Sequence, residues 1–306
     1  MSLAPPSHTS KFEYYLVNAF SDKPFGGNPA VVAFLNPKET STEILVEVAA
    51  TFRQPMTVFL SKQTPSATDT VTEKYAVRYF TAEHEAHLCI HATVAAAKII
   101  FQMQGLKEGD LIEFVTQSDE VLTARMVMGE KGEEWTEIEL TKAQIVQVQG
   151  EEEKIISDII QDCFGKQLSI HHIAKGIEPY HHYLLVEVDE SDDIKNCNVR
   201  GLELGERTGF GINAITAKSS TGNEHFTSRV FVPYVSLGGE DHVCGSAHSL
   251  LGPYWAKKQR IPDGEQIKAA QVSHRGGDLR LFSVKEESKL KMRGQAVVIS
   301  TGVFFF

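Results

Sequence analysis

The sequence predicts an α+β protein made of two copies of one β-rich unit, each wrapped around a central helix. Three observations predict this. Two segments, "HATVAAAKIIFQ" (91–102) and "GSAHSLLGPYWAKK" (245–258), have helical composition and are apolar nearly all round, which suits burial on every side. Around them lie short runs of β-branched and aromatic residues bounded by Gly, Pro, Asn and Asp, the grammar of strands and tight turns. Finally, "VRYFTAEHEAHLCIHATVAAA" and "SRVFVPYVSLGGEDHVCGSAHSLL" repeat one pattern. Each gives Arg-hydrophobic-Phe in a strand, an irregular connection ending in acidic and His residues, a hydrophobic-Cys pair and a small-residue helix. Arg78 precedes Cys89 by 11 positions and Arg229 precedes Cys244 by 15, so the two connections differ by four residues.

In chain order, "YYLVNAF" (14–20) and "AVVAFL" (30–35) read as strands separated by the turn-forming "SDKPFGGNP". Residues 42–52 place Ile44, Leu45, Val48, Ala49 and Phe52 at helical spacing, with Ser41 or Thr42 as the cap. "TVFLS" (57–61) and "YAVRYFT" (75–81) are strands ahead of the first buried helix; "LIEFVT" and "VLTARMVM" form a strand pair after it. The second half continues with "TEIELT", an amphipathic helix over 151–165 with an acidic first turn, "HYLLVEV" (182–188) and "SRVFVPY" (228–234). The second buried helix and the strands of "QIKAAQVSHRGGDLRLFSV" and "KLKMRGQAVVIS" complete it. The expected domains are 1–127 and 128–306, with the final C-terminal strand able to return to the first.

The chain's 306 residues are enough for two domains with their own cores. Hydrophobic content of 42% and charged content of 23% are those of a soluble globular protein. A net charge of −10 argues against nucleic-acid and anionic-membrane partners, which need a basic face. It leaves an anionic small substrate open, because a local helix terminus binds anions whatever the global charge. No apolar run reaches membrane-spanning length; the longest, Ala92 to Phe101, contains Lys98. "MSLAPPSHTSK" lacks the apolar core of a signal peptide and reads as a short leader, so a cytoplasmic location is expected. The four cysteines, Cys89, Cys163, Cys197 and Cys244, have neither CxxC nor zinc-ligand spacing and are expected to be reduced.

Cys89 and Cys244 fall at equivalent places in the repeat, just before the buried helices. Unpaired N–H groups at a helix start stabilise a thiolate and can hold a carboxylate. A pair of such thiols facing one substrate could take a proton from a carbon acid on one side and return one on the other. The bland alternative is that cysteine packs there as a small hydrophobe. Cys163 and Cys197 lack the context and are expected to be structural.

Four segments in order, "FSDKPFGGNPAVVAFL", "FTAEHEAHLCIHATVAAA", "RVFVPYVSLGGEDHVCGSAHSLLGPYW" and "VSHRGGDLR", resemble the PhzF (phenazine-biosynthesis-like) isomerase family. The resemblance runs from about Tyr14 to Ser300. It implies a diaminopimelate epimerase-like fold: two similar β-barrel-like domains, each around a central helix, with the active site in the interdomain cleft. It also implies no cofactor, no metal and a homodimer. His91, Asp241, Gly245 and Ser246 match the family's active-site motifs, and Gly27 and Asn28 its N-terminal signature. Where the family carries a catalytic glutamate, counting back from Phe59, this chain has Met56, which cannot exchange a proton. Cys244 stands where the family usually has threonine, and Ile90 where it has glycine. In the related epimerases and racemases the corresponding helix starts carry the catalytic cysteines.

The expected activity is therefore a cofactor-independent isomerase or epimerase moving a proton on a small carboxylate-bearing molecule. Cys89 and Cys244 are the candidate acid/base pair, with His91 and Asp241 beside them. Gly27, Asn28, Gly245, Ser246 and Arg275 are the candidate substrate-binding residues. Two alternatives stand: a double-bond isomerase using Asp241 and His91 without the cysteines, or an inactive binding protein left by the loss of the glutamate. Glu47 is expected on a solvated helix face, and Glu85 and Glu240, four residues before each cysteine, as loop-ordering groups. The His pairs of "HHIAKGIEPYHHYLL" (171–185) alternate faces on a strand and do not form a metal set.

Overall fold

The computed structural model describes residues 10–65, 71–233, 238–284 and 288–306. The leader over residues 1–9 and the expected strand end at Tyr234 lie outside the described residues. The chain divides into two compact units: the first contains the chain through Pro24, Pro29–Thr136 and Gln295–Phe306, the second Phe25–Asn28 and Glu137–Gly294. No helix among the described residues is long and apolar enough to cross a membrane.

The first unit holds β1 (Lys11–Ala19), β2 (Asn28–Ala33, its first residue in the second unit), α1 (Thr42–Phe52), β3 (Met56–Gln63), β4 (Glu73–Phe80), β5 (Glu85–Ala86), α2 (Ile90–Gln104), β6 (Leu111–Val115), β7 (Val121–Met128) and β18 (Ala296–Phe305). β1 and β18 run antiparallel over their whole lengths, with a bulge between Leu16 and Val17. β2 lies parallel to β3, β3 antiparallel to β4, β4 parallel to β6, and β6 antiparallel to β7. Ser41 caps α1, its hydroxyl accepting the Ile44 N–H, which satisfies one of the donors a helix start leaves over. α2 packs against β1, β3, β7 and β18. Its Ala92, Ala95, Ala96 and Ala97 are fully buried, because only small side chains let strands approach a helix from several sides. Aromatic rings fill the space under α1: Phe12 stacks on Phe304 at 5.1 Å, and Phe59 meets Phe80 edge-on.

The second unit holds β8 (Glu134–Thr141, entering from the first), β9 (Ile145–Gln147), α3 (Glu151–Phe164), β10 (Ile170–Gly176), β11 (Tyr183–Val188), α4 (Gly201–Thr208), β12 (Ile212–Lys218), β13 (Phe226–Phe231), β14 (Glu240–Asp241), α5 (His248–Gln259), β15 (Gln266–Gln271), β16 (Gly277–Ser283) and β17 (Lys289–Gly294). β11 lies parallel to β12, β12 antiparallel to β13, β13 parallel to β15, and β15 antiparallel to β16. This is the internal order of the first unit: strand, helix, strand, strand, two-residue strand, buried helix, strand, strand. The repeat seen in the sequence is thus present in the pairing directions as well as in the residues. α3 buries Ile156, Ile160, Cys163 and Phe164 in a core shared with Ile173, Leu184, Val186 and Leu204. Trp255 of α5 stacks on Phe226 at 5.7 Å and gives its indole N–H to Thr216.

Two elements differ from the expectation. α5 begins at His248, not at residue 245: residues 245–247 form a tight turn in which the His248 N–H reaches the Gly245 carbonyl and the Ser249 N–H the Ser246 carbonyl. The tighter turn separates Cys244 from the helix proper. α4 was not expected, because Gly201 and Gly205 weaken any helical pattern. Both glycines are required by packing. A Cβ at Gly205 would come within 2.4 Å of Pro233, and one at Gly201 within 2.8 Å of the Gly238 carbonyl. The facing residue, Gly239, has φ +77 and lies where a Cβ would meet the Leu202 backbone nitrogen at 2.5 Å.

That contact sets where β14 leaves the loop. We expect Gly239→Ala to destabilise the chain by at least about 2 kcal/mol, combining left-handed strain with a backbone clash. Gly222→Ala, at a similar φ of +74 but with open space around it, should lose only about 1 kcal/mol. Urea midpoints of the two variants make the comparison, and equal losses would show that the close approach is unimportant.

Candidate active site

The two units carry the same frame. In the first, the Arg78 guanidinium pairs in a fork with Glu85 (2.7 and 2.6 Å), donates to the Thr42 hydroxyl at the start of α1, and lies 5.0 Å over the Phe80 ring. In the second, Arg229 forks with Glu240 (both 2.7 Å), donates to the Ile194 and Cys197 carbonyls just ahead of α4, and lies 5.2 Å over Phe231. Glu85 pairs opposite Phe80 in the strand register, and Glu240 opposite Phe231. These glutamates order the loops, each being held by a buried arginine. The register therefore equates Asp241 with Ala86, Cys244 with Cys89, Ser246 with His91 and His248 with Thr93.

Within the second unit seven of the expected site residues come together. Asn28 is fully buried and donates from Nδ2 to Asp241 Oδ1 (2.6 Å) and to the Val243 carbonyl (3.0 Å). Arg275 donates to the carbonyls of Gly26 (3.0 Å) and Gly27 (2.8 Å), and the Gly27 N–H reaches the Gly276 carbonyl. Gly27 has φ +71, a turn that a side chain would strain. Arg275 thus acts as a clamp on the loop that delivers Asn28. Cys244 Sγ lies 3.5 Å from Ser246 Oγ. The Cys244 thiol also hydrogen-bonds the Asp241 carboxylate, and the Ala247 N–H reaches its sulfur. Gly245 begins the turn that makes this possible.

Three further residues hold the site, and none carried a signal in the sequence. Gln271, at the end of β15, accepts the Cys244 N–H through Oε1 (2.8 Å) and donates from Nε2 to the Asp241 carbonyl (2.6 Å). His248 donates from Nδ1 to the Cys244 carbonyl at 2.7 Å; a carbonyl only accepts, so this nitrogen carries the proton. Ser246 hydrogen-bonds the phenol of Tyr183, a residue of β11. These partners lie up to 61 positions from Cys244 along the chain, so only the fold brings the distant ones in.

Burial dominates the electrostatics. It raises the Asp241 pKa from 3.8 to about 6, against the lowering effect of the Cys244 and Asn28 hydrogen bonds. Burial, then the neighbouring Asp241 charge, pushes the Cys244 thiol pKa well up, so the sulfur is protonated at neutral pH. Cys244 is thus held as a thiol, not as the thiolate that a helix start would favour. Burial also lowers His248 to about 4, keeping it neutral.

In the first unit Cys89 caps α2 with extended backbone and no side-chain capping bond. Its sulfur turns instead to His91, 3.2 Å from Nδ1, and both residues are buried. The Cys89 carbonyl takes the Thr93 hydroxyl at 2.8 Å, as the Cys244 carbonyl takes His248. Tyr79 bonds Thr93 in turn at 2.7 Å. Met56 is buried at the start of β3, and Glu47 lies exposed on α1. The second unit thus offers a thiol with a carboxyl group, the first a thiol with an imidazole.

A family model described as phenazine biosynthesis-like protein matches residues 17–302. An uncharacterized isomerase of Halalkalibacterium halodurans is 31% identical, covering 93% of this chain and 95% of its own. The mouse phenazine biosynthesis-like domain-containing protein 2 is 28% identical over 95% of this chain and 98% of its own. Among solved structures, a PhzF-family protein from Enterococcus faecalis superposes with a TM-score of 0.78 at 26% identity, covering 97% of this chain and all of its own.

The raised Asp241 pKa makes a stability prediction. Between 3.8 and about 6 the folded chain binds more protons than the unfolded one, so stability falls as pH rises through that window. The full difference corresponds to about 3 kcal/mol. Asp241→Asn keeps an acceptor for Asn28 and removes the buried charge. It should be more stable than the parent above about pH 7, by about 1 to 3 kcal/mol, with a flatter profile at acid pH. Urea unfolding across the pH range reads this directly; a variant less stable at neutral pH would contradict it.

Proposed function

The chain belongs to the phenazine biosynthesis-like family, and from that premise we propose that it is an isomerase moving a proton on a small carboxylate-bearing metabolite without a cofactor. Relatives named as isomerases support the reaction class. One observation carries the assignment of roles: a buried carboxyl group of pKa about 6, fixed by Asn28 and touching the Cys244 thiol. A general base works best with a pKa near the working pH. The chain has that group at Asp241 even though Met56 replaces the family's glutamate.

In this reading the Asp241 carboxylate takes a proton from a carbon next to an activating group. The C–H bond breaks, its electron pair stays on the substrate as an enolate-like system, and the proton goes to the carboxyl oxygen. Turn N–H groups and Ser246 are suited to the substrate carboxylate, whose negative charge they match. Return of a proton falls to the other acid/base set, Cys89 with His91, or to the Cys244 thiol itself. Return to the same carbon on the opposite face is epimerisation; return to a conjugated carbon is double-bond migration. The protonated state of Cys244 favours Asp241 and His91 as the groups that change protonation, with the thiols as donors. A two-thiol exchange between Cys89 and Cys244 is the stricter version of the same chemistry.

The test is deuterium incorporation from heavy water into carbon-bound positions of a panel of chiral and unsaturated small carboxylates, read by NMR. Exchange should require Asp241, with Asp241→Asn slowing it by about 100-fold or more. On the productive substrate kcat/KM should rise with pH and level off above about 6, because the base must be ionised. Cys89→Ser and Cys244→Ser sort the versions: loss comparable to that of Asp241→Asn assigns the protons to the thiols, and near-intact exchange assigns them to Asp241 and His91. Exchange that survives Asp241→Asn would overturn the assignment, and absence of any exchange would leave a binding protein.

A further inference from the structure

A cavity of about 640 Å³ lies within the second unit and shares none of its lining residues with the site above. That volume suits a small molecule rather than a few waters. Its wall is built by a single proline. Pro253 inside α5 has no N–H to give to the Ser249 carbonyl one turn earlier. The freed carbonyl instead accepts the Ala143 N–H at 3.1 Å, which pins the segment between β8 and β9 to the side of the helix. The Ile177 N–H binds the Gln144 carbonyl, and β9 pairs with β10, so this wall is fixed from both sides.

The lining has one consistent chemistry. Ala143, Ile145, Leu250 and Pro253 form an apolar surface. Across it lie His172 and Tyr254, stacked at 5.4 Å and nearly parallel, and the two lysines in the last turn of α5, Lys257 and Lys258. Glu187, buried on β11, holds Tyr254 and Lys258 in place by accepting from both, and its charge balances Lys258. Burial lowers the His172 pKa, which keeps that ring neutral. His171 pairs with Asp189 at 3.4 Å. Lys257 is exposed at the rim, and none of the lining residues is Asp or Glu. This wall is the more notable in a chain with 40 acidic residues against 30 basic. Lysines also offset the negative end of a helix, but that role needs neither the apolar wall nor the fixed ring pair.

We propose that this cavity is a second ligand site, which binds a small aromatic monocarboxylate with its ring against the apolar and His172–Tyr254 surfaces and its carboxylate at Lys257. At Lys257 the carboxylate finds a cation that no buried carboxyl group balances among the described residues, and the ring displaces water from a preformed apolar wall. Leu250, Pro253 and Tyr254 all belong to α5, the helix that follows Cys244, so occupancy of this cavity reaches the turn of the candidate active site through one element.

The probe is sodium benzoate, followed by saturation-transfer NMR and by amide shifts of the full chain. Saturable millimolar binding should appear, with shifts at Leu250, Tyr254 and Lys257. Lys257→Glu, a surface change that leaves the core untouched, should weaken it at least about tenfold, or about 1.4 kcal/mol. Lys257→Arg and Asp241→Asn should leave it unchanged, and benzyl alcohol, which lacks the charge, should bind at least about tenfold more weakly. No saturable binding, or binding indifferent to Lys257→Glu, overturns the site. Binding abolished by Asp241→Asn overturns it too, since the benzoate would then occupy the candidate active site.

Discussion

The forked arginine–glutamate pair is the constraint from which the rest of each unit follows. A buried guanidinium must satisfy its N–H groups or lose heavily on desolvation. Arg229 does so with a carboxylate on β14 and two carbonyls ahead of α4, so one side chain fixes a strand, a loop and the approach to a helix. Arg78 does the same for β4, β5 and α1. The planar fork leaves little freedom in where its glutamate sits. The residue after each glutamate, and the cysteine four positions on, are therefore delivered to a set place. Gly239 and the glycines of α4 complete this in the second unit, letting backbones close to a distance that no other residue permits.

A duplicated frame allows divergence at chosen positions without disturbing the scaffold. The equivalent of Asp241 is Ala86, and the equivalent of Ser246 is His91. One unit therefore sets a carboxyl group beside its thiol, the other an imidazole. Such pairs of titratable groups in unlike environments are how one fold separates acid from base. The desolvation that raises Asp241 toward neutrality also destabilises the folded chain at neutral pH, a common relation between stability and function. Asn28, Gln271 and His248 are what make that environment tolerable: each satisfies a polar group that burial would otherwise strand.

The sequence was most legible where one residue type has one use. Alanine-rich α2 and the Arg–Phe–Glu–Cys repeat showed the two units, because small residues and a buried arginine leave a periodic trace. Among the described residues, four of the five α-helices lie in the segments expected. α4 was hidden because its glycines, read locally, oppose a helix, and only the contact with Pro233 and Gly239 explains them. The start of α5 was misplaced because "GSAH" has the composition of a helix cap, while the chain makes a tighter turn there. Within the site, Cys244, Asp241 and Asn28 could be named, but their electrostatics could not. A cysteine before a helix suggested a thiolate, and the depth at which the fold buries it decides for the thiol.

That reversal bears on Met56, which the family resemblance sets where a catalytic glutamate is expected. If the thiols were ionised, Met56 would mark a chain that had exchanged carboxylate chemistry for sulfur chemistry. With Cys244 protonated and the Asp241 pKa raised to about 6, the second unit holds a carboxyl group that suits the base role proposed above. The thiol beside it then serves as a hydrogen-bond donor to the carboxylate. Ionising that thiol next to an ionised Asp241 would place two negative charges in a dry site, which is strongly disfavoured. Below about pH 6 both groups therefore hold a proton and above it only the thiol does, so Asp241 is the member of the pair that titrates.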